Sequence, residues 1–518
     1  MSFKFSVPAL SDGTPGVETR PAEVARWVES LAASDAREAG NALYDALIRL
    51  NRTRLSDTER LALLEAYRPA VARVTRLLER DYDESALPLR DRAREAVNLT
   101  RELLIECACG YKILLSDNST RRAAANRHQM PLLLHRTITA LADTLILCYR
   151  TYSPTPAGMW HEMHQIYHYA AYFRLENESV PTDGTDRQTS IGLVYKQALL
   201  LALADPYRLV PGDVSKVLSL VERCHERANV VPYSPDLSGP GLFLIQTDSD
   251  RPPKALGHSA NAQIAPVDKL LSAASLVDLL DQFKAGSGPT AIPGLEVGSG
   301  DLVERLQKSW SSPPKRVFHR FAANSGVDIC AGIRSLGHHL RRAEERAAAE
   351  SGDRNVPVPI DTARMAVAKT GFELSRWEIA NQSAGGIALK KSSDRPAPIG
   401  VGEVVGMRYQ GQSMWGIGAT RWLQNDEVGG MEIGIELLAP TASVCSLSSP
   451  QLPDSTVTAL LLPELRALKK APSLLTPAGT FVAGREFVLD GGGQALTVRA
   501  ERLLLNTPSF DLFEYSEH

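Results

Sequence analysis

Cysteine is scarce in this chain: six residues in 518, at Cys107, Cys109, Cys148, Cys224, Cys330 and Cys445. So few, so scattered, exclude a disulfide framework and fit reduced thiols in a cytosolic protein. An excess of charge of one sign is also missing. The formal net charge is −3, which excludes a chain that covers nucleic acid or an anionic membrane with its whole surface, so any anion site must be local. Long apolar runs are lacking too. The opening Met1-Ser2-Phe3-Lys4-Phe5-Ser6-Val7-Pro8 contains no apolar signal-peptide core. The most apolar stretch, Met130 to Tyr149, is interrupted by His135, Arg136 and Asp143, whereas a spanning helix needs about 20 predominantly apolar residues. It reads as a buried core helix, and the chain as soluble, cytoplasmic and without a transmembrane segment. The remaining composition, 44% hydrophobic and 23% charged, is that of a globular protein long enough for about three domains.

Residues 1–235 are expected to form an all-α domain of helical pairs, because Ala, Leu, Arg and Glu dominate and Gly and Pro fall mostly at junctions. Ser56-Asp57-Thr58-Glu59 is a capping box, followed at helical spacing by Leu61, Leu64, Tyr67, Val71, Val74 and Leu78. No fixed period supports a repeat array. Turn chemistry begins near Pro232, and 236–312 reads as a linker or docking region with short helices around 267–283 and 302–310.

Strand patterning takes over from 313. Val327–Ala331, Trp377–Ala380, Ile387–Leu389, Val401–Met407, Trp415–Leu423 and Met431–Leu438 read as strands, with a hairpin loop at Asp426–Gly430. A charged helical insertion, 334–371, interrupts them and is expected to be solvated. A further small β-unit is expected over 441–518, with strands at 456–462, 473–476, 486–489, 496–501 and 503–506. Asp490-Gly491-Gly492-Gly493 lies between strands with no helix after it, and so is a hairpin turn rather than a phosphate loop.

Two short motifs carry the chemistry. Lys315-Arg316-Val317-Phe318-His319-Arg320 places two arginines four apart, and Asn381-Gln382-Ser383-Ala384-Gly385-Gly386 follows. Each alone has a bland reading, a solvated basic face and an Asx-turn hairpin. Together, Arg-x-x-x-Arg and Asn-x-Ser-x-x-Gly resemble the two-part signature of PilZ domains, small bacterial β-barrels that bind cyclic di-GMP. The resemblance covers roughly residues 313–440. It implies a non-catalytic receptor in which Arg316 and Arg320 clamp the ligand with help from Lys315, while Asn381, Ser383 and Gly386 complete the site. Arginine's planar fork suits both the phosphates and the guanine O6/N7 edges of such a ligand. Asn381 and Ser383 are expected to shape a tight turn, and the glycines to supply positive φ and a close approach to a flat ligand. Departures from the family pattern are the 61-residue separation of Arg320 and Asn381 and the Asn where Asp is usual. No cofactor and no nucleic-acid partner are implied.

The resulting expectation is a receptor that relays ligand binding to the helical domain, which docks a protein partner. The alternative is an adaptor with a degenerate barrel, acting through the helical domain alone. A third site is conceivable on the helix carrying His161, His164 and His168, whose spacing puts three imidazoles on one face. It departs from His-Glu-x-x-His at Gln165 and has no cysteine pair beside it. A helix-packing face is the plainer reading, and no metal is assigned.

Overall fold

The computed structural model describes residues 3–11, 16–83, 87–118, 128–182, 188–258, 263–287, 292, 294–295, 300–312, 321, 325–351, 372, 374–383, 385–391, 398–426, 430–449, 452–466, 470–491 and 495–517. The chain divides into two compact units: Met1–Ser85 with Leu89–Lys315, and Ala86–Pro88 with Arg316–His518.

The first unit opens with helices α1 (Pro21–Ser30), α2 (Ala36–Arg52), α3 (Asp57–Tyr82), α4 (Asp91–Asn118), α5 (Met130–Arg150), α6 (Met159–Phe173), α7 (Ile191–Leu203) and α8 (Asp213–Cys224), with a two-strand ribbon, β1 (Val180–Pro181) and β2 (Gln188–Thr189), before α7. The capping box starts α3 as the sequence indicates: Glu59 N–H donates to Ser56 Oγ (3.3 Å) and Ser56 N–H to the Glu59 carboxylate (3.1 Å). Arg60, buried beneath it, donates to the carbonyls of Leu50 and Thr53 at the end of α2, satisfying acceptors that a helix terminus leaves open. Helix α4 packs on α2, α3 and α5. Among the described residues α5 is the one helix long and apolar enough to cross a bilayer, and 78% of its most apolar window is buried in the protein.

The segment read as a linker, 236–312, is built into this unit. Strands β3 (Asn229–Pro232), β4 (Leu242–Ile245), β5 (Lys254–Ala255) and β6 (Lys269–Ser272) form an antiparallel sheet in the order β3-β6-β4-β5, followed by α9 (Ala274–Lys284) and α10 (Gly300–Ser311). Phe243, Leu271, Leu280 and Trp310 join the same apolar core as the helices. Trp310, fully buried, donates its indole N–H to the Leu200 carbonyl of α7 (3.1 Å).

The second unit holds two closed six-stranded antiparallel barrels. The first uses β7 (Gly326–Ala331), β8 (Ser375–Ser383), β9 (Gly386–Lys391), β10 (Val404–Tyr409), β11 (Gly416–Asn425) and β12 (Met431–Ala439), closed in the order β10-β11-β12-β9-β8-β7. The second uses β13 (Ser443–Ser449), β14 (Leu452–Leu462), β15 (Ser473–Pro477), β16 (Glu486–Asp490), β17 (Leu496–Asn506) and β18 (Phe510–Glu517), in the order β13-β14-β15-β18-β17-β16. The charged helix of the insertion, α11 (Ile333–Ser351), is solvated on one face only. Ile333, Leu336 and Leu340 lie in one cluster with Val404 and Trp415 of the first barrel and Leu460 and Phe510 of the second. Gly406 makes room for this helix, because a methyl there would overlap Leu336. The alternating Arg/Glu content hid the apolar stripe at positions 333, 336 and 340.

Candidate functional site

The second motif lies on the outer face of the first barrel. Ile387, Leu389, Ile433, Ile435 and Leu423 are buried inside it, and strand alternation turns their neighbours outward. Register then lines up two cross-strand rows on that outer face. Asn381 pairs with Ala388, Ala388 with Gly434, and Gly434 with Trp422. One row over, Ser383 pairs with Gly386 and Gly386 with Glu436, and Glu436 accepts a hydrogen bond from Arg421 Nε at 2.6 Å. Four strands at the usual spacing make this face roughly 14 Å across. Its middle is floored by Gly386, Ala388 and Gly434, which raise no side chain larger than a methyl.

Two expectations about the motif are corrected by this arrangement. Asn381 is not in the turn: it belongs to β8, just after an irregularity between Ile379 and Asn381 that re-aims the strand end. Its half-buried amide has no hydrogen-bond partner among the described residues. Gly386 does not have the left-handed backbone expected of it. A side chain is excluded there because a Cβ would stand 2.5 Å from the Ile435 carbonyl oxygen of β12, so the close approach is strand to strand. Ser383 does shape the hairpin, donating from Oγ to the Gly386 carbonyl (3.2 Å).

Lys315, Arg316 and Arg320 lie outside the described residues. Phe321, next in the chain after Arg320, is described and is 67% exposed. Its N–H donates to the Gln382 carbonyl (2.9 Å), and the Gln382 N–H donates back to the Phe321 carbonyl (3.0 Å). Ile379 N–H donates to the Ser325 carbonyl (3.1 Å), so the chain enters β7 antiparallel to β8, with the residue after the first motif bonded to the middle of the second.

Sequence reasoning missed Trp422 and the Arg421–Glu436 pair. Trp422 is half-buried, and its indole covers Gly434 so closely that a methyl at 434 would overlap the ring. A glycine inside a strand is the signal that could have found it, since such a glycine marks a close approach.

The histidine helix is a packing face. His164 is fully buried, its Nδ1 2.7 Å from the Tyr195 hydroxyl and its Nε2 2.9 Å from the Arg251 carbonyl. Burial pushes its pKa down to about 4, so both nitrogens are engaged by a neutral ring. Among the described residues no group of three or more His, Cys, Asp or Glu side chains is placed to hold a metal ion.

Three family models match the chain. Residues 22–235 match "Cyclic-di-GMP receptor FimW, N-terminal domain", residues 347–443 "Cyclic-di-GMP receptor FimW, middle PilZ domain", and residues 442–518 "FimW C-terminal beta-barrel domain". A curated relative from Pseudomonas aeruginosa, the cyclic-di-GMP receptor FimW, is 25% identical over 96% of this chain and 90% of its own length. No solved structure matches. The PilZ match takes in β8 to β12 and the second motif but begins after β7 and after both arginines. This chain thus carries a PilZ domain in its C-terminal half, set between a helical domain and a second β-barrel as in the receptor whose domains those models describe.

Proposed function

We propose that this chain is a bacterial, cytoplasmic receptor for cyclic di-GMP that acts by binding and not by catalysis. The reading is supported by the PilZ match together with one observation of geometry: the backbone bridge between Phe321 and Gln382, which ties the end of the first motif to the strand that carries the second. In this reading Arg316 and Arg320 grip phosphate or guanine edges, with Lys315 adding local positive charge. The unpartnered Asn381 amide takes a base edge or ribose hydroxyl. Ser383 holds the hairpin, and Gly386 keeps the floor flat. Trp422, across the small-residue floor from Asn381, offers the ring on which a base stacks.

The two-unit division of the chain falls between Lys315 and Arg316. A ligand gripped by Arg316 and Arg320 therefore acts at the connection between the helical unit and the barrels. It shifts the population of arrangements only by as much as it binds one more tightly than another. The helical domain, in turn, is the module that engages a protein partner. Equilibrium dialysis against labelled cyclic di-GMP tests the site: Arg316→Ala with Arg320→Ala, and separately Asn381→Ala, are expected to lose binding while melting normally. Full binding by the arginine double variant overturns the assignment.

A further inference from the structure

The two barrels are built on one plan. In each, the first three strands pair in succession, the third pairs with the sixth, and the sixth, fifth and fourth lead back to close on the first. In each, the hairpin of the fifth and sixth strands has a pairing irregularity, and beside it an arginine pairs with a glutamate of the sixth strand. These are Arg421 with Glu436 (2.6 Å) in the first barrel and Arg502 with Glu514 (2.7 Å) in the second. Strand position therefore identifies the second barrel's counterpart of the proposed nucleotide face.

In the first barrel that face carries the row Asn381, Ala388, Gly434 and Trp422, one residue from each of the second, third, sixth and fifth strands. The same four strands of the second barrel carry a row of leucines: Leu460 pairs with Leu475, Leu475 with Leu512, and Leu512 with Leu505. Ala459, Leu474 and Phe513 belong to the cluster that fills this barrel, so strand alternation turns their neighbours Leu460, Leu475 and Leu512 to the outside. Nothing in such a row can hydrogen-bond a base, a ribose or a phosphate. The motifs are missing as well. The chain entering the second barrel, 437–442, has no arginine, and 463–472, between its second and third strands, has neither asparagine nor serine.

These outward leucines are nonetheless buried, and their cover is part of the same chain. They share one apolar cluster with Ile333, Leu336 and Leu340 of α11 and with Cys330 of β7 and Val404 of β10. Gly337 of α11 faces the adjoining strands: a methyl there would meet Thr458 of β14 at 3.5 Å and Val444 of β13 at 3.7 Å.

We infer that the second barrel repeats the plan of the PilZ barrel with its nucleotide face converted into an internal docking surface, which seats α11 and the β7–β10 side of the first barrel. Nucleotide then binds the first barrel alone; that corollary, unlike the docking, rests on the receptor reading. The docking is tested by hydrogen-exchange mass spectrometry of the full chain without ligand, comparing two leucine truncations. Leu460→Ala, in the outer row, should speed exchange of the α11 amides at 337–346 by about tenfold or more, the scale of a lost buried leucine contact. Leu474→Ala, inside the barrel, should act mainly on β14, β15 and β18. Leu512→Ala repeats the outer-row test should Leu460→Ala not fold. Unchanged α11 exchange in a folded outer-row variant, or equal loosening of α11 by Leu474→Ala, overturns the inference. The corollary is tested by photolabelling the full chain with 8-azido cyclic di-GMP and mapping the labelled peptides. Label within 374–439 is expected, and label within 452–512 overturns the conversion of that face. A chain that takes no label contradicts the receptor reading, while the exchange measurement still decides the docking.

Discussion

Replacing Gly434 with alanine probes the proposed stacking surface without touching either motif. The added methyl would fall inside the envelope of Nε1, Cε2 and Cδ1 of Trp422, and the backbone of a strand in the middle of a closed barrel cannot withdraw to make room. The indole must swing off the face instead. Overpacking a close contact costs about 1–3 kcal/mol. Trp422 is only half-buried and can move toward solvent, so the stability loss should sit near the lower figure, about 1 kcal/mol. The loss of ligand affinity should be larger. Stacking of a base on an aromatic ring is worth about 1–3 kcal/mol, which is about 5–150-fold in affinity. Titration calorimetry of wild type, Gly434→Ala, Trp422→Ala and the double variant measures this directly. Because both changes act through one ring, the double variant should bind no more weakly than Trp422→Ala. Wild-type affinity in Gly434→Ala, or fully additive losses in the double variant, would refute the reasoning.

Acid should destabilise the helical unit through His164. Its pKa of about 4 in the folded protein lies below the ordinary 6.5, so the unfolded chain takes up the proton first. The stabilisation is complete above about pH 6.5 and is lost as pH falls toward 4, by up to about 3 kcal/mol. Urea melts at pH 7 and pH 4.5 should therefore show a smaller acid-induced drop for His164→Asn than for wild type, and equal drops would count against it. Asp143 has the opposite sign. Its pKa is raised from 3.8 to about 6, so its contribution is complete below about pH 3.8 and lost as pH rises through 6. Discounted for the solvent that reaches the carboxyl, Asp143→Asn should gain about 1 kcal/mol at pH 8 and nothing at pH 4. A gain of equal size at both would contradict the cause given. Gly406→Val should loosen the packing of α11 on the first barrel, because the larger side chain meets Leu336, at about 1–3 kcal/mol. An unshifted melting temperature would argue against that packing.

The helical unit was legible because its signals are local: a capping box, apolar residues at helical spacing, and glycines and prolines at junctions. The strands around Asn381 were legible for the same reason, through alternation. What escaped depended on partners distant in sequence. The 236–312 segment is rich in turn residues, yet its apolar residues pack against helices up to 110 positions away, as Trp310 does on Leu200. Strands β13 and β18 escaped because Ser443–Ser449 is serine at four of seven positions and does not alternate, and Phe510–Glu517 follows a turn near the chain end. The break assumed at Arg502 does not interrupt β17; there an irregularity in the pairing with β18 accommodates the charged residue. At the site, residue types were readable but their placement was not. Asn381 looked like a turn residue because Gly385 and Gly386 follow it. The hairpin turns two residues later, and only register reveals that Asn381 and Trp422 end the same cross-strand row.

The most direct test of the account is isothermal titration of the intact protein with cyclic di-GMP, with GMP as the control. Saturable binding of cyclic di-GMP, with GMP silent at the same concentrations, is the predicted result, and the stoichiometry then reports one ligand or an intercalated pair on the barrel. No heat and no thermal shift at high cyclic di-GMP, from protein that melts cooperatively, would contradict the receptor reading.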